Sequence, residues 1–112
     1  MKKTDTLKKN YEFKHVFTNG KGYYGKNINI YIEKNNNSIN KIGIAVGKKV
    51  GNATKRNQIK RWIRESYYYF EENLKDNHNI VFTLKKEIDY TKIDFWIIKK
   101  DMELLFKKAG II

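Results

Sequence analysis

Cysteine and proline are absent from this chain of 112 residues, and only seven of its residues are glycine. The lack of cysteine excludes disulfides, thiolate catalysis and zinc sites built on cysteine. The first ten residues, MKKTDTLKKN, lack the apolar stretch of a secretory signal, and the sequence has no apolar run long enough to span a membrane. These absences predict a cytoplasmic protein that does not associate with membranes.

Acidic residues are scarce as well. The chain has 12 of them against 24 lysines and arginines, which gives a formal net charge of +12 and a pI near 9.8. Such a charge exceeds what solubility needs and repels itself in a compact fold unless a polyanion neutralises it. Nucleic acid is therefore the expected partner. The length predicts a single domain over residues 1–112.

The chain also lacks the motifs of a self-contained catalytic site. It has no Ser-His-Asp pattern, Gly-rich phosphate loop or paired-carboxylate motif. His15 and His78 are far apart and have no metal-ligand spacing, so we expect ordinary surface or strand-end histidines. We predict that the protein alone carries no catalytic residue, no metal site and no stably bound cofactor.

Arginine is rare among the basic residues. Only Arg56, Arg61 and Arg64 are arginine, against 21 lysines, and all three lie in a segment, residues 47–64, with seven basic side chains and no acidic one. A composition rich in Lys, Asn and Ile indicates drift toward AT-rich codons, so the retained arginines indicate a role that lysine cannot fill. Guanidinium offers a planar fork of donors that fits phosphate and stacks on bases. The three arginines are therefore predicted to form a polyanion contact surface.

Hydrophobic periodicity predicts seven elements in the order α-β-β-β-α-β-α, an α+β two-layer sandwich in which one sheet carries the helices. The sequence contains no internal repeat. The predicted elements are a helix at 11–18 capped by Asn10, an edge strand or loop at 22–26, strands at 28–33, 42–47 and 80–84, a helix at 52–74 capped by Asn52, and a last helix opened by a Thr91–Asp94 capping pair and stopped by Gly110.

The strand at 42–47 has one bare face. Its branched residues alternate with Gly43, Ala45 and Gly47, which leaves a trough on that side. Two interpretations remain open at this point. Either a helix packs against the small residues, or another backbone or a nucleic-acid base approaches closely there.

The helix at 52–74 is predicted to have one core face and one basic face. At 100° per residue, the apolar side collects Ile59, Ile63, Tyr67, Phe70 and Leu74, while Asn57, Lys60, Arg61 and Arg64 fill an opposite arc. Lys55 and Arg56 fall in the first turn, where the helix dipole disfavours cations by about 0.3–1 kcal/mol each. Cations beside free amide N–H groups form an anion site, so this polarity indicates phosphate binding.

These residues carry a resemblance to a known family. The segment GKKVGNATKRNQIKRWIRE resembles the signature of the bacterial ribonuclease P protein subunit. The start, LKKNYEFKHVFTNGKGYYGKNINIYI, is similar to the family's aromatic first helix and tyrosine-bearing strand, and KIGIAVGKKVG is similar to its following strand and lysine turn. Length, charge and element order agree over nearly the whole chain.

The resemblance implies a ribosomal protein-like fold with a left-handed β-α-β crossover around the basic helix, an exception to the usual right-handed rule. It also implies two sets of site residues. The residues implied to contact the catalytic RNA are Lys55, Arg56, Asn57, Lys60, Arg61 and Arg64, and those implied to hold the single-stranded 5′ leader of precursor tRNA are Phe13, Phe17, Tyr31, Lys48, Lys49 and Asn52. For Phe13 and Phe17, an ordinary core role remains an alternative.

The function implied by the resemblance is that of a non-catalytic subunit of ribonuclease P. In that enzyme an RNA removes the 5′ leader by hydrolysis, with Mg²⁺ held mainly by RNA phosphates. The expected partners are the catalytic RNA, at one protein per RNA, and precursor tRNA. Two positions depart from the family pattern, because Gln58 replaces an arginine and Gly47 stands where serine is frequent. The effect of Gln58 on RNA contact is left open.

Two other functions fit part of the pattern. A ribosomal-protein-like RNA-binding module would explain the charge and the fold without an enzymatic complex. A DNA-binding protein could place the helix at 52–74 in a major groove, although that helix lacks a helix-turn-helix partner and its aromatic surroundings suit single strands better.

Overall fold

The computed structural model describes residues 4–112, which form a mixed five-stranded sheet with three helices. Two short 3₁₀ turns, at Glu71–Asn73 and Tyr90–Lys92, flank the last strand. The elements in chain order are β1 Thr4–Thr6, α1 Asn10–Asn19, β2 Lys21–Tyr24, β3 Ile28–Lys34, β4 Asn40–Ala45, α2 Ala53–Phe70, β5 His78–Leu84 and α3 Phe95–Ala109.

The strands lie in the order β1-β4-β5-β3-β2. β1 pairs with β4 and β4 pairs with β5 in parallel, whereas β5–β3 and β3–β2 are antiparallel. Adjacent parallel strands need a crossover, and α2 provides it between β4 and β5. The predicted α+β class and its β-α-β unit around the basic helix are confirmed.

The two faces of the sheet carry different helices. α2 and α3 cover the isoleucine face, where Ile28, Ile30, Ile42 and Ile80 pack with the buried side of both helices. α1 alone lies on the opposite face, in a small cluster centred on Val16. Because residues two apart on a strand share a face, the alternation in β3 and β4 decides which side chains enter the main core. The second face is only partly covered and is open to a ligand.

The strand β1 was not predicted. It has only three residues without apolar alternation, and its place is fixed by tertiary contacts: Thr4 Oγ1 lies 2.8 Å from the Tyr67 hydroxyl and donates to the buried Glu71 carboxylate. A strand fixed by such long-range partners leaves no periodic signal in its own sequence. The segment predicted as edge strand or loop at 22–26 is the edge strand β2.

Several predicted helix ends are wrong by a few residues. Lys9, not Asn10, is the N-cap of α1, because the Glu12 carboxylate there accepts the N–H groups of Lys8 and Lys9. α2 ends at Phe70, and the chain continues as a 3₁₀ turn before Leu74. End effects of this size come from cap geometry, which the apolar period does not encode.

The start of α3 also differs from the prediction. Asp94 is itself the N-cap and accepts the Ile97 N–H at 2.9 Å, whereas Thr91 donates to Asp89 in the preceding 3₁₀ turn. The Thr91–Asp94 capping pair is therefore wrong. The predicted stop is confirmed, since Gly110 adopts the left-handed conformation with φ of 74°.

The two histidines have the structural positions predicted for them. His15 is exposed on α1 and its Nδ1 lies 2.9 Å from a Glu33 carboxylate oxygen. His78 begins β5, is buried, and its backbone N–H donates to Asn40 Oδ1 at 2.9 Å. The first is a surface ion pair when protonated, and the second is a strand-end residue.

Candidate nucleic-acid interface

The outer side of α2 carries a basic hollow. Asn52 caps this helix as predicted, with its side-chain oxygen accepting the Lys55 N–H at 2.9 Å. Four of the predicted RNA-contact residues line one shallow hollow together with Thr54 and Gln58. We call these four residues the basic face: Asn57, Lys60, Arg61 and Arg64. The core side of α2 is buried at Ile59, Ile63 and Tyr67, so these cations point away from the sheet.

The ion pairing within the basic face is weak. Arg61 Nε lies 3.8 Å from a Glu65 carboxylate oxygen one turn later, and both side chains are more than half exposed, at 62% and 55%. An exposed pair of this kind contributes only about 0.3–0.5 kcal/mol to the folded state. The guanidinium therefore has free donors and little structural duty, as expected of a residue that binds an external anion.

Arg56 and Lys55 lie beside the basic face and have partners within the protein. Arg56 Nη1 donates to the Gly51 carbonyl at 2.9 Å and to the Lys48 carbonyl at 3.5 Å, which holds the turn before α2. Lys55 Nζ lies 5.2 Å from the centre of the Trp62 ring. Arg56 therefore has a structural role at the helix start, and Lys55 has an aromatic partner on α2, in addition to the RNA contact predicted for both.

The second face of the sheet contains the predicted aromatic residues. Phe13 lies against Gly43 of β4, and Val16 is buried with Val81 of β5. Phe17 meets Tyr31 of β3 edge to face, with ring centres 4.8 Å apart. α1 therefore crosses the sheet along one row of paired residues, and its two phenylalanines lie at successive positions along that row.

A parallel row beside α1 stays open. Strand pairing aligns Ala45 with Thr83, Thr83 with Asn29 and Asn29 with Tyr24. Asn29, Tyr31 and Thr83 line a hollow bordered by the loop after β5. We use the name aromatic cleft for the open row together with three aromatic residues beside it: Ala45, Thr83, Asn29 and Tyr24, with Phe13, Phe17 and Tyr31.

The strand predicted at 42–47 ends at Ala45, so Gly47 lies beyond β4. The two glycines of its bare face have different surroundings. A Cβ at Gly43 would lie 2.6 Å from Phe13 Cε2, so a helix side chain fills that space, as one interpretation required. Gly47 has no atom within 4 Å of such a Cβ and remains open. Phe13 is accordingly half-buried, whereas Phe17 is 41% exposed and presents more of its ring to a ligand.

Tyr31 stays uncharged in the cleft. Partial burial raises the pKa of Tyr31 above the usual 10.0, and the nearby Tyr24 raises it further by a smaller amount. The rings of these two tyrosines meet edge to face with centres 6.1 Å apart. The Tyr31 ring is therefore neutral at physiological pH and is held in place by Phe17 and Tyr24, so it can stack against a base.

Lys48, Lys49 and Asn52 lie in the segment that joins β4 to α2. Both lysines are exposed in the turn between β4 and α2, shortly after the cleft residue Ala45. Asn52 is exposed, but its side-chain oxygen is engaged at the helix start. Of the three, the lysines are the residues free to meet a phosphate.

Sequence reasoning missed Asn29, Thr83, Lys85 and Lys86, which all line the hollow beside Tyr31. The Asn29 Oδ1 atom is buried and has no hydrogen-bond partner within residues 4–112. Buried amide oxygens are normally paired, so this one is an exception. The sequence contained a signal for Asn29. It alternates with the isoleucines of β3 and therefore lies on the same face as Tyr31.

A narrow groove joins the two surfaces. Its volume is about 170 Å³, and it is lined by Phe13 of the aromatic cleft together with Lys60 and Arg64 of the basic face. Tyr68 of α2, which is 48% exposed, stands in the same groove. The aromatic cleft therefore opens toward the basic face at its β4 end.

Within residues 4–112, no three carboxylate or histidine residues cluster closely enough to share a metal ion. No helix there is long and apolar enough to cross a membrane.

Comparison with known proteins agrees with this architecture. The protein-family model for ribonuclease P matches residues 1–110. A ribonuclease P protein component from Clostridium botulinum (strain Langeland) is 40% identical over 113 aligned positions, which cover 97% of both chains. Another, from Natranaerobius thermophilus, is 38% identical and covers 96% of this chain and 91% of its own.

Solved structures give the same result. The RNase P protein of Staphylococcus aureus matches with a TM-score of 0.86 at 26% identity, covering 97% of this chain and 98% of the other. The RNase P protein of Thermotoga maritima matches with a TM-score of 0.81 at 27% identity, covering 92% and 96%. Sequence and fold agree over nearly the full length, and the chain belongs to the ribonuclease P protein family.

Proposed function

We propose that this protein is the RNA-binding subunit of a ribonuclease P that removes the 5′ leader from precursor tRNA. The basic face binds the catalytic RNA, and the aromatic cleft holds the single-stranded leader. One observation carries the proposal: the groove of Phe13, Lys60 and Arg64 joins the two surfaces. A leader in the cleft therefore lies beside the RNA that cuts it.

The cleft suits a single strand of any sequence. Aromatic stacking contributes about 1–3 kcal/mol per base and needs no particular base, because every base has a flat face. Phe17 and Tyr31 supply the rings, and Lys48 and Lys49 supply charge for the backbone at the β4 end. A double helix would not bring its bases to such rings, since they are stacked within it.

The chemistry is assigned to the RNA. Mg²⁺ ions held mainly by RNA phosphates activate the water and stabilise the leaving oxygen. The protein contributes position and charge, because a +12 chain between two polyanions lowers their repulsion and reduces the magnesium concentration that assembly needs. We expect one protein per catalytic RNA and a cytoplasmic location.

The test is cleavage of end-labelled precursor tRNA by a bacterial ribonuclease P RNA at low magnesium, with the RNA alone, the protein alone and both together. The proposal expects cleavage only with both, at the mature 5′ end. If the protein gives no stimulation to an RNA shown to be active at high magnesium, the proposal fails. Co-sedimentation of the protein with ribosomes would then favour a ribosomal-type RNA-binding module.

A further inference from the structure

A further hollow, outside the basic face, lies next to the Tyr24 end of the aromatic cleft. It has a volume of about 600 Å³ and lies between α3, the β2–β3 turn and the end of β5. We call it the α3 groove. Its size is that of a small-molecule or nucleotide site, which typically has about 300–1,000 Å³.

The wall of the α3 groove is apolar and uncovered. Tyr24, Leu104 and Ile97 line it and are 58%, 56% and 36% exposed. Leu104 and Ile97 lie on the outer side of α3, off the Ile98–Met102–Leu105 stripe that enters the core. Three such side chains together form an apolar surface that the fold itself does not use.

The rim of the groove is cationic. Four lysines surround the apolar wall: Lys26, Lys85, Lys100 and Lys108. The one acidic lining residue is Asp101, and its carboxylate is occupied by the backbone N–H groups of Lys26, Asn27 and Ile28, at 3.3, 2.7 and 3.0 Å. No free carboxylate in the lining neutralises the lysines. The groove therefore fits a ligand that combines phosphate charge with a flat or apolar part, as an unpaired nucleotide does.

The α3 groove adjoins the aromatic cleft around the edge of the sheet. Lys85 lines both the groove and the hollow beside Tyr31. The Tyr24 ring, which lines the groove, is in edge contact with the Tyr31 ring of the cleft. A strand that leaves the cleft over Tyr31 meets Tyr24 and Lys85 next.

The direction of the path follows from the other end of the cleft. Phe13 opens there onto Lys60 and Arg64 of the basic face, where the catalytic RNA is placed. Tyr31 lies two strands farther across the sheet, on β3, and Tyr24 lies on the edge strand β2. The groove is thus at the end of the path that is remote from the cutting RNA.

We propose that the α3 groove binds the distal part of the single-stranded leader, beyond the nucleotides held in the aromatic cleft. The lysines contact its phosphates, and Tyr24 and Leu104 contact an unstacked base. This inference rests on the proposed function, because it takes the leader to be the strand in the cleft. It makes leader affinity depend on leader length after the cleft is full.

The first experiment measures affinity of the assembled RNA–protein enzyme for precursor tRNAs with leaders of increasing length. The test variant is Lys100→Ala/Lys108→Ala, and the matched control is Lys75→Ala/Lys92→Ala, which removes the same charge from exposed positions outside the groove. We expect the test variant to lose about tenfold in affinity for long leaders and nothing for short ones. Its salt slope for long leaders should fall by about 1.4, at roughly 0.7 per phosphate contact on a single strand.

Phe17→Ala separates the two proposals. It should weaken binding at every leader length that reaches the cleft. If Phe17→Ala and Arg61→Ala are both without effect, the proposed function itself fails. If they weaken binding but Lys100→Ala/Lys108→Ala matches its control at all lengths, the α3 groove proposal alone is overturned.

The second experiment locates the strand. Photoreactive uridines placed at successive leader positions should crosslink to the peptide that contains Leu104 only from positions remote from the cleavage site. Crosslinks from remote positions to any other surface would overturn the proposal. The absence of any crosslink from remote positions to the peptide that contains Leu104 would overturn it as well.

Discussion

At the scale of single residues, the contact between Gly43 and Phe13 links sheet packing to the aromatic cleft. Any side chain at position 43 would meet the Phe13 ring, and its Cβ would also lie 3.2 Å from Leu7 Cβ. The glycine is therefore needed for the close approach of α1 to β4, and not for an unusual backbone angle. The position of the Phe13 ring therefore depends on the lack of a Cβ atom at residue 43.

We expect Gly43→Ala to displace Phe13 and to lower the free energy of unfolding by about 1–3 kcal/mol through overpacking. Gly47→Ala is the matched control, because a Cβ there has no neighbour within 4 Å. Urea denaturation of both variants tests this expectation. Equal stability of the two variants would contradict the packing role of Gly43.

Arg61 offers a separate test of RNA contact. Its exposed pair with Glu65 is weak, so Arg61→Ala should leave the melting temperature unchanged while reducing the salt slope of catalytic-RNA binding by about one. Glu65→Ala removes the same pair and keeps the guanidinium, so its salt slope should equal or exceed that of the original protein. Filter binding over a range of salt concentrations measures both. An unchanged slope in Arg61→Ala would argue against a phosphate contact.

Residue-level prediction from the sequence succeeded where one element decides the outcome. Asn57, Lys60, Arg61 and Arg64 were predicted to share a face because 100° per residue is a property of α2 alone, and they line one hollow. Asn29, Thr83 and Lys85 were missed because their juxtaposition depends on the pairing register of β3 with β5. Register is a tertiary property that the alternation of one strand does not reveal.

At the scale of elements, Asp101 fastens α3 to the β2–β3 turn. It lies in the apolar stripe of α3, three residues after Ile98 and four before Leu105, and is only 5% exposed. Its carboxylate replaces the strand partners that the N–H groups of Lys26 and Asn27 lack in the turn. A charged residue within an apolar stripe was the available signal for this role.

Asp101→Ala should lower the free energy of unfolding by about 2–3 kcal/mol, because buried N–H groups are left without an acceptor. Asp101→Asn keeps one acceptor oxygen and should lose less. Glu103→Ala is the control on the same helix, since its pair with Lys107 is at the surface and contributes little. Denaturant unfolding should show the largest loss of stability for Asp101→Ala, a smaller loss for Asp101→Asn and the smallest for Glu103→Ala. A small loss in Asp101→Ala would contradict the role of Asp101 in holding α3 to the β2–β3 turn.

The start of α1 should depend on pH. Two backbone N–H groups, of Lys9 and Lys8, hold the pKa of Glu12 below its usual 4.5, so the ionised carboxylate stabilises the folded state. This contribution is present above pH 4.5 and is lost as the pH falls through the lowered pKa. The stability difference between the original protein and Glu12→Gln should therefore shrink as acid is added. A difference that stays constant with pH would exclude the cap.

Element existence was easier to predict than element ends. The three helices and the central strands follow from apolar period, whereas β1 and the cap at Lys9 depend on partners distant in sequence or on side-chain geometry. The prediction of Thr91 as a capping residue failed for the second reason. Thr91 has a nearer acceptor in Asp89, and this local contact forms its own turn.

At the scale of the whole molecule, the charge of +12 is the dominant electrostatic fact. The ion pairs of Arg61 and Lys107 each lie within one helix and are exposed, so they offset little of it. Lysines and arginines line the basic face and the rim of the α3 groove, where they repel one another in the free protein. Such repulsion disfavours the compact state until anions bind.

We therefore expect the free protein to gain stability from anions, and to gain more from polyvalent anions than salt screening explains. Raising NaCl from about 0.05 to 0.5 M shortens the screening length from roughly 14 to 4 Å and should raise the melting temperature. Pyrophosphate at matched ionic strength should raise it further, because an anion that binds the folded state stabilises it by mass action. Lys60→Gln/Arg64→Gln should lose the extra rise and keep the NaCl effect. If the melting curves in NaCl and pyrophosphate are identical at equal ionic strength, charge screening alone explains the rise in melting temperature. That result would contradict anion binding at the basic face.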